Sequence, residues 1–139
     1  MITFVGSDFS DRNLLQMWID ADPWHSIKDV ADWWIIGGYL HFKLEDEQGV
    51  VCFVRFDQEP NTCLVRLHTQ FAPSNQVSEK RVAVAISDAI PRFVRYAKEN
   101  GVTGIITESV SPKLVAFLCS KLNFKPDTGS NYLLSFNEV

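Results

Sequence analysis

The chain has 139 residues, enough for one domain with a sizeable core, and its 46% hydrophobic and 22% charged residues match an ordinary globular fold. A net charge of −4 leaves it without the cationic field that unspecific nucleic-acid binding or an acidic membrane surface requires. No apolar run approaches the roughly 20 residues of a spanning helix, no basic segment leads into an apolar one near the start, and Cys52, Cys63 and Cys119 lack CxxC or metal spacing, so the expectation is a single cytoplasmic domain over residues 1–139 with reduced thiols.

Ile2 to Val5 predicts a first strand. Ser10 is placed to cap a helix over Asp11–Asp20, with Leu14, Leu15, Trp18 and Ile19 on its apolar side, and Asp22-Pro23 stops it. Ser26, with Asp29 three residues on, predicts a second capped helix in which Ile27, Val30, Ala31 and Trp34 share a face, ended by Gly37-Gly38. Trp24 and Trp33 fall off these stripes and are candidates for contact with an acceptor molecule or a second subunit.

Three strands follow, Tyr39–Leu44, Val50–Asp57 and Thr62–Phe71, joined by short polar turns that imply an antiparallel meander. In the last of them Cys63, Val65, Leu67, Thr69 and Phe71 share one face, and Arg66, His68 and Gln70 the other. After the turn Ala72-Pro73-Ser74-Asn75, Ser78 caps a long helix whose apolar stripe runs through Val82, Ala85, Ile86, Ala89, Ile90, Phe93, Val94 and Ala97. Pro91 should kink that helix, and Asn100-Gly101 should end it. Val102–Thr107 reads as a strand. Ser111-Pro112 opens a last helix with Leu114, Val115, Leu118 and Leu122 inward, and Asn123 suits a left-handed turn. Lys125–Asn131 reads as a loop and Tyr132–Phe136 as a final strand. The order β-α-α-β-β-β-α-β-α-β predicts a mixed α+β fold, with a central mixed sheet and helices on both faces.

Over nearly its whole length this order resembles the GNAT superfamily of acyl-CoA-dependent N-acyltransferases. Phe71-Ala72-Pro73 is similar to the Val-x-Pro that ends the family's fourth strand. Lys121-Leu122-Asn123-Phe124 is similar to the end of its closing helix, Tyr-x-Lys-x-Gly-Phe, which sets Cys119 where many members carry a tyrosine acid and Asn123 on the glycine. The family's pyrophosphate loop, Arg/Gln-x-x-Gly-x-Gly/Ala, has no glycine counterpart between Gln76 and Ala85. One register sets Lys80, Ala83 and Ala85 on that motif. Another sets Gln76, Glu79 and Arg81 there and brings a carboxylate toward an anion, so the first is preferred.

The resemblance implies transfer of an acyl group from acetyl-CoA to an amine of a small molecule or protein, with a homodimer as one possible assembly. It implies cosubstrate contacts at Thr69, Gln70, Phe71, Lys80, Arg81, Val82, Ala83 and Ser111, and catalysis by His68 as base and Cys119 as acid to the leaving thiolate. Asp57 and Glu108, near strand ends, are alternative bases. Lys80 and Arg81 also stand out physically, because cations in a helix's first turn oppose its dipole and an anionic ligand would relieve them. Two other readings remain: a non-catalytic binding protein of the same fold with a degenerate loop, and an unrelated α+β protein.

Overall fold

A computed structural model describes residues 2–23 and 30–138. In chain order its elements are β1 (Thr3–Gly6), α1 (Arg12–Ala21), α2 (Ala31–Ile35), β2 (Leu40–Asp46), β3 (Gly49–Gln58), β4 (Leu64–Phe71), α3 (Glu79–Glu99), β5 (Gly104–Glu108), α4 (Pro112–Lys121), β6 (Lys125–Pro126) and β7 (Asn131–Ser135). The strands form one sheet in the order β1-β2-β3-β4-β5-β7-β6. Every neighbouring pair is antiparallel except β4 and β5, which run parallel and are joined through α3. The expected mixed α+β architecture is the observed one.

Alternation along the strands divides the core between two faces. On one, Phe42, Leu44, Val54, Phe56 and Leu67 meet α3, whose Ala85, Ile86, Ala89, Ile90, Phe93, Val94 and Ala97 are buried as the stripe predicts. Phe93 stacks on Phe56 with ring centroids 3.8 Å apart. Burying one such side chain contributes roughly 2–3 kcal/mol. On the other face α1 and α2 lie over β2–β4: Trp18 meets Phe53 edge-on at 5.4 Å, and Trp33 meets His68 at 4.9 Å. The last helix, α4, lies with α3. Lys113 at its start pairs with Glu79 at the start of α3 (3.3 Å), and Leu118, Leu122 and Phe124 join the core containing Ile105 and Leu134, whereas Ile106, on the opposite face of β5, lies outside that core.

Three local expectations change. Asp8, not Ser10, supplies the capping side chain before the first helix, and it caps the turn Phe9–Asp11 ahead of α1. The Asp8 carboxylate accepts from the Ser10 amide (2.9 Å), and Asp11 accepts from the Asp8 amide (3.0 Å), around a 3-10 turn that leads into α1. The second helix starts at Ala31 with Val30 in the capping position, and the expected start at Ser26, with Ile27 and Asp29, lies outside the described residues. Residues 125–131 include the two-residue strand β6. Pro91 lies inside α3, which spans Glu79 to Glu99. Ser78 caps α3 through the Arg81 amide (3.2 Å), Pro112 opens α4, and Asn123 is left-handed at φ 63°, all as expected.

Candidate functional site

The parallel pair at the centre of the sheet separates part-way along. Its register runs Leu64↔Gly104, Val65↔Ile105, Arg66↔Ile106 and Leu67↔Thr107, and there it stops. Beyond that rung β4 stays with β3 as far as Phe71 opposite Cys52, while β5 stays with β7 through Glu108 opposite Asn131, and the Ser109 amide bonds Ser130. The Thr107 hydroxyl donates to the Leu67 carbonyl (2.9 Å) at the point of divergence. Residues 68–71 therefore border a V-shaped gap. The carbonyls of Cys63 and Leu67 both accept from the β5 side, so strand alternation turns the backbone groups of Thr69 and Phe71 into the gap. The Gln70 side chain is buried. Its amide donates to Asp22 Oδ2 (2.9 Å) and to the Phe71 carbonyl (3.1 Å), tying the end of β4 to the end of α1.

His68 lies on the α1–α2 face of the sheet at the level where the strands part. Its Nε2 is 3.4 Å from Asp57 Oδ2, and the edge of Trp33 closes over its ring. Asp57 is also held by Arg55, whose Nη2 lies 3.0 Å from Oδ1. The guanidinium of Arg55 stacks on Trp33 at 3.9 Å and donates to the carbonyls of Trp33 and Ile36, capping α2. Gly38 permits this packing: at φ +78°, a Cβ there would sit 2.9 Å from Arg55 Nε and 3.1 Å from the Phe56 carbonyl. Trp33, a candidate for exposed contact, is instead half-buried between Arg55, His68 and Trp34. Trp24, its companion in that expectation, lies outside the described residues.

At the start of α3, Ser78 takes the Arg81 amide on its side chain and the Val82 amide on its carbonyl. The amides of Glu79 and Lys80 bond no group among the described residues. Lys80 is exposed, whereas Arg81 is committed: Nε and Nη2 bind the two oxygens of Asp46 in the β2–β3 turn at 2.8 and 2.7 Å. The pair holds the Asp46 carboxyl below the usual carboxylate range and raises Arg81. A cavity of about 330 Å³ beside this pair is lined by Asp46, Glu47, Lys80, Arg81, Val84 and Asp88. Val82 and Ala83 are half-buried, and Ser111 caps α4 without a side-chain bond. Cys119 is half-buried on α4 and so belongs to the α3 face, across the sheet from His68.

The structure thus gathers Thr69, Gln70, Phe71 and His68 along one gap, and sets the starts of α3 and α4 beside each other. Sequence reading missed three features: the Arg55–Asp57–His68–Trp33 cluster, the Gln70–Asp22 tie and the Arg81–Asp46 pair. The first was accessible, because Arg55 and Asp57 are the charges in an otherwise apolar strand and alternation puts both on the face of His68.

This gap between two parallel central strands, with a helix crossing between them, is the fold of the GNAT N-acetyltransferases. Solved structures bear that out. The ribosomal-protein-S18-alanine N-acetyltransferase of Escherichia coli matches with a TM-score of 0.63 at 14% identity, over 96% of this chain and 91% of that one. A GNAT family acetyltransferase of Brucella melitensis, solved in complex with acetyl-CoA, matches with a TM-score of 0.61 at 12% identity, over 98% of this chain and 88% of that one. A domain from Methanocaldococcus jannaschii matches with a TM-score of 0.70 at 14% identity, over 98% and 99%. No protein-family model and no curated protein matches the sequence.

Proposed function

We propose that this chain is a single-domain N-acetyltransferase that moves an acetyl group from acetyl-CoA to an amine. The observation that carries the reading is the separation of β4 from β5 after the Leu67–Thr107 rung, within a fold whose solved relatives include an acetyl-CoA complex. The gap offers hydrogen-bonding groups to an extended amide chain: the backbone of Thr69 and the amide of Phe71. The unpaired amides of Glu79 and Lys80, with the Lys80 ammonium, suit a phosphate at the start of α3. Val82, Ala83 and Ser111 complete the walls between α3 and α4.

In the reaction the amine nitrogen attacks the thioester carbonyl, the C–S bond breaks, and the ammonium proton leaves to a base while the thiolate departs with CoA. His68 and Glu108 stand at the same level on the acceptor side of the gap, by the register that pairs Leu67 with Thr107. Asp57 positions His68: an Nε2–H donated to it leaves the ring's lone pair on Nδ1. Cys119, from the α3 face, is the candidate acid to the thiolate. Among the described residues no helix is long and apolar enough to cross a membrane, and we place the enzyme in the cytoplasm, with a small-molecule or protein amine as acceptor.

A second reading, a non-catalytic protein that uses the same gap, is favoured by one observation. Arg81, beside the glycine-free turn, spends its charge on Asp46. Calorimetry with acetyl-CoA separates the two. Binding that is followed by acetylation of an amine panel supports the enzyme, and absence of heat at millimolar ligand rejects it.

A further inference from the structure

Arg66 lies on β4 two residues before His68 and on the same face. Ile106, on the same face of β5, is buried but lies outside the core that α4 joins. The guanidinium reaches across β5. Nε binds Glu59 (2.6 Å) and Nη1 binds the Asn131 side chain (2.9 Å), which uses two of its five N–H donors. No buried side-chain nitrogen or oxygen in the described residues lacks a partner, so Nη2, which has none among them, reaches solvent. Asn131 stands directly opposite Glu108, whose carboxylate is exposed and forms no ion pair among the described residues. A partly used guanidinium and an unpaired carboxylate thus lie on the face of the sheet that carries His68, Arg66 on the rung before the last of the β4–β5 pair and Glu108 just past that last rung.

We infer that the acceptor is a zwitterion, a free amino acid, with its carboxylate on the open donors of Arg66 and its ammonium directed by Glu108 toward the gap. This rests on the acetyltransferase reading above. A guanidinium edge matches a carboxylate in plane and in spacing. Glu59 is held at Nε, on the edge that Nε shares with Nη2, so the edge left to a carboxylate is Nη1–Nη2, where Asn131 uses one Nη1 donor. The neighbouring charge of opposite sign is what a lone carboxylate-binding or lone amine-binding site would lack. A site that desolvates a guanidinium for a substrate carboxylate rejects analogues without one, since the donors are then left short of a partner.

The test compares free amino acids with their C-terminal amides as acceptors in the presence of acetyl-CoA, read as N-acetylated product by mass spectrometry, because exposed Cys63 would contribute to a thiol assay. The amide's amine is the less basic of each pair and carries the larger neutral fraction near pH 7, so intrinsic reactivity opposes the expected preference. The expected result is a kcat/KM at least about tenfold higher for the acids, falling to within about twofold in Arg66→Met and partly retained in Arg66→Lys. Each variant serves as its own control through the acid-to-amide ratio, so partial unfolding does not imitate the result. Equal use of acids and amides by the unsubstituted protein overturns the inference, as does a preference that survives Arg66→Met. If acetyl-CoA binds and no amine in the panel is acetylated, the zwitterion assignment falls. If acetyl-CoA itself does not bind, the acetyltransferase reading falls with it.

Discussion

The two basic residues that open α3 should separate cleanly under mutation, although sequence alone treats them as a pair. Arg81 holds both oxygens of Asp46, and both side chains are largely shielded. Arg81→Ala therefore strands a shielded carboxylate, a loss of about 1–2 kcal/mol. For a chain of 139 residues the unfolding entropy is about 0.3 kcal/mol/K, so Tm should drop by about 3–7 °C. Lys80 is exposed and pairs with no described residue. Lys80→Ala should leave Tm within about 1 °C and weaken acetyl-CoA by about 0.5–1 kcal/mol, roughly two- to fivefold, an effect that shrinks with salt. The pH dependence follows from the sign of the shift. The folded-state pKa of Asp46 lies below its unfolded value, so its stabilisation is fully present above about pH 4 and is lost as pH falls through the lower, folded pKa. Arg81→Ala should remove that part of the acid destabilisation. Thermal melts from pH 7 to 3 and calorimetry of the same samples measure both quantities. An Arg81→Ala protein with unchanged Tm and a large loss of acetyl-CoA affinity would refute the argument, showing that Asp46 releases the guanidinium to the ligand.

Three further outcomes follow from particular contacts. Gly38→Ala should cost about 2 kcal/mol in urea unfolding, since φ +78° is strained for alanine and the new Cβ meets Arg55 Nε at 2.9 Å and the Phe56 carbonyl at 3.1 Å. Burial pushes the Cys52 thiol up to about 12, so a thiol reagent at pH 8 should label Cys63 in the native protein and reach Cys52 only at the rate of unfolding. Phe93→Ala, which removes the ring stacked on Phe56, should destabilise by about 3–5 kcal/mol in the same urea titration.

The elements that sequence made legible are those whose own residues carry the information. The stripe of α3 repeats over more than three turns, so its buried face is written in the spacing of Ala85 to Ala97. Ser78, Pro112 and Asn123 each act through local chemistry, and each stands where the sequence puts it. Asp8 was missed because the capping box closes a 3-10 turn before the helix proper, and the apolar period begins only at Leu14–Leu15. The candidate site was legible as a stretch of chain, residues 68–71 and 78–83, and not as contacts. Arg81 and Asp46 are 35 residues apart, and no periodicity brings them together. Only the β2–β3 register delivers Asp46 to the start of α3.

The gap itself has no motif, and its cause is a competition between pairings. Four rungs join β4 to β5, and each strand then has a better partner on its outer side. β3 is long enough to keep β4 in register to Phe71, and Gln70 anchors that end to Asp22. On the other side Glu108 and Ser109 follow β7, not β4. A sheet that twists about 20° per strand makes the parallel seam the weakest one to maintain at its end. Thr107 completes the branch by satisfying the Leu67 carbonyl with its hydroxyl, at a rung where a buried acceptor would otherwise count against separation. The backbone of Thr69 and the amide of Phe71 thereby keep hydrogen-bonding capacity inside the sheet, which in the proposed reading serves the extended cosubstrate.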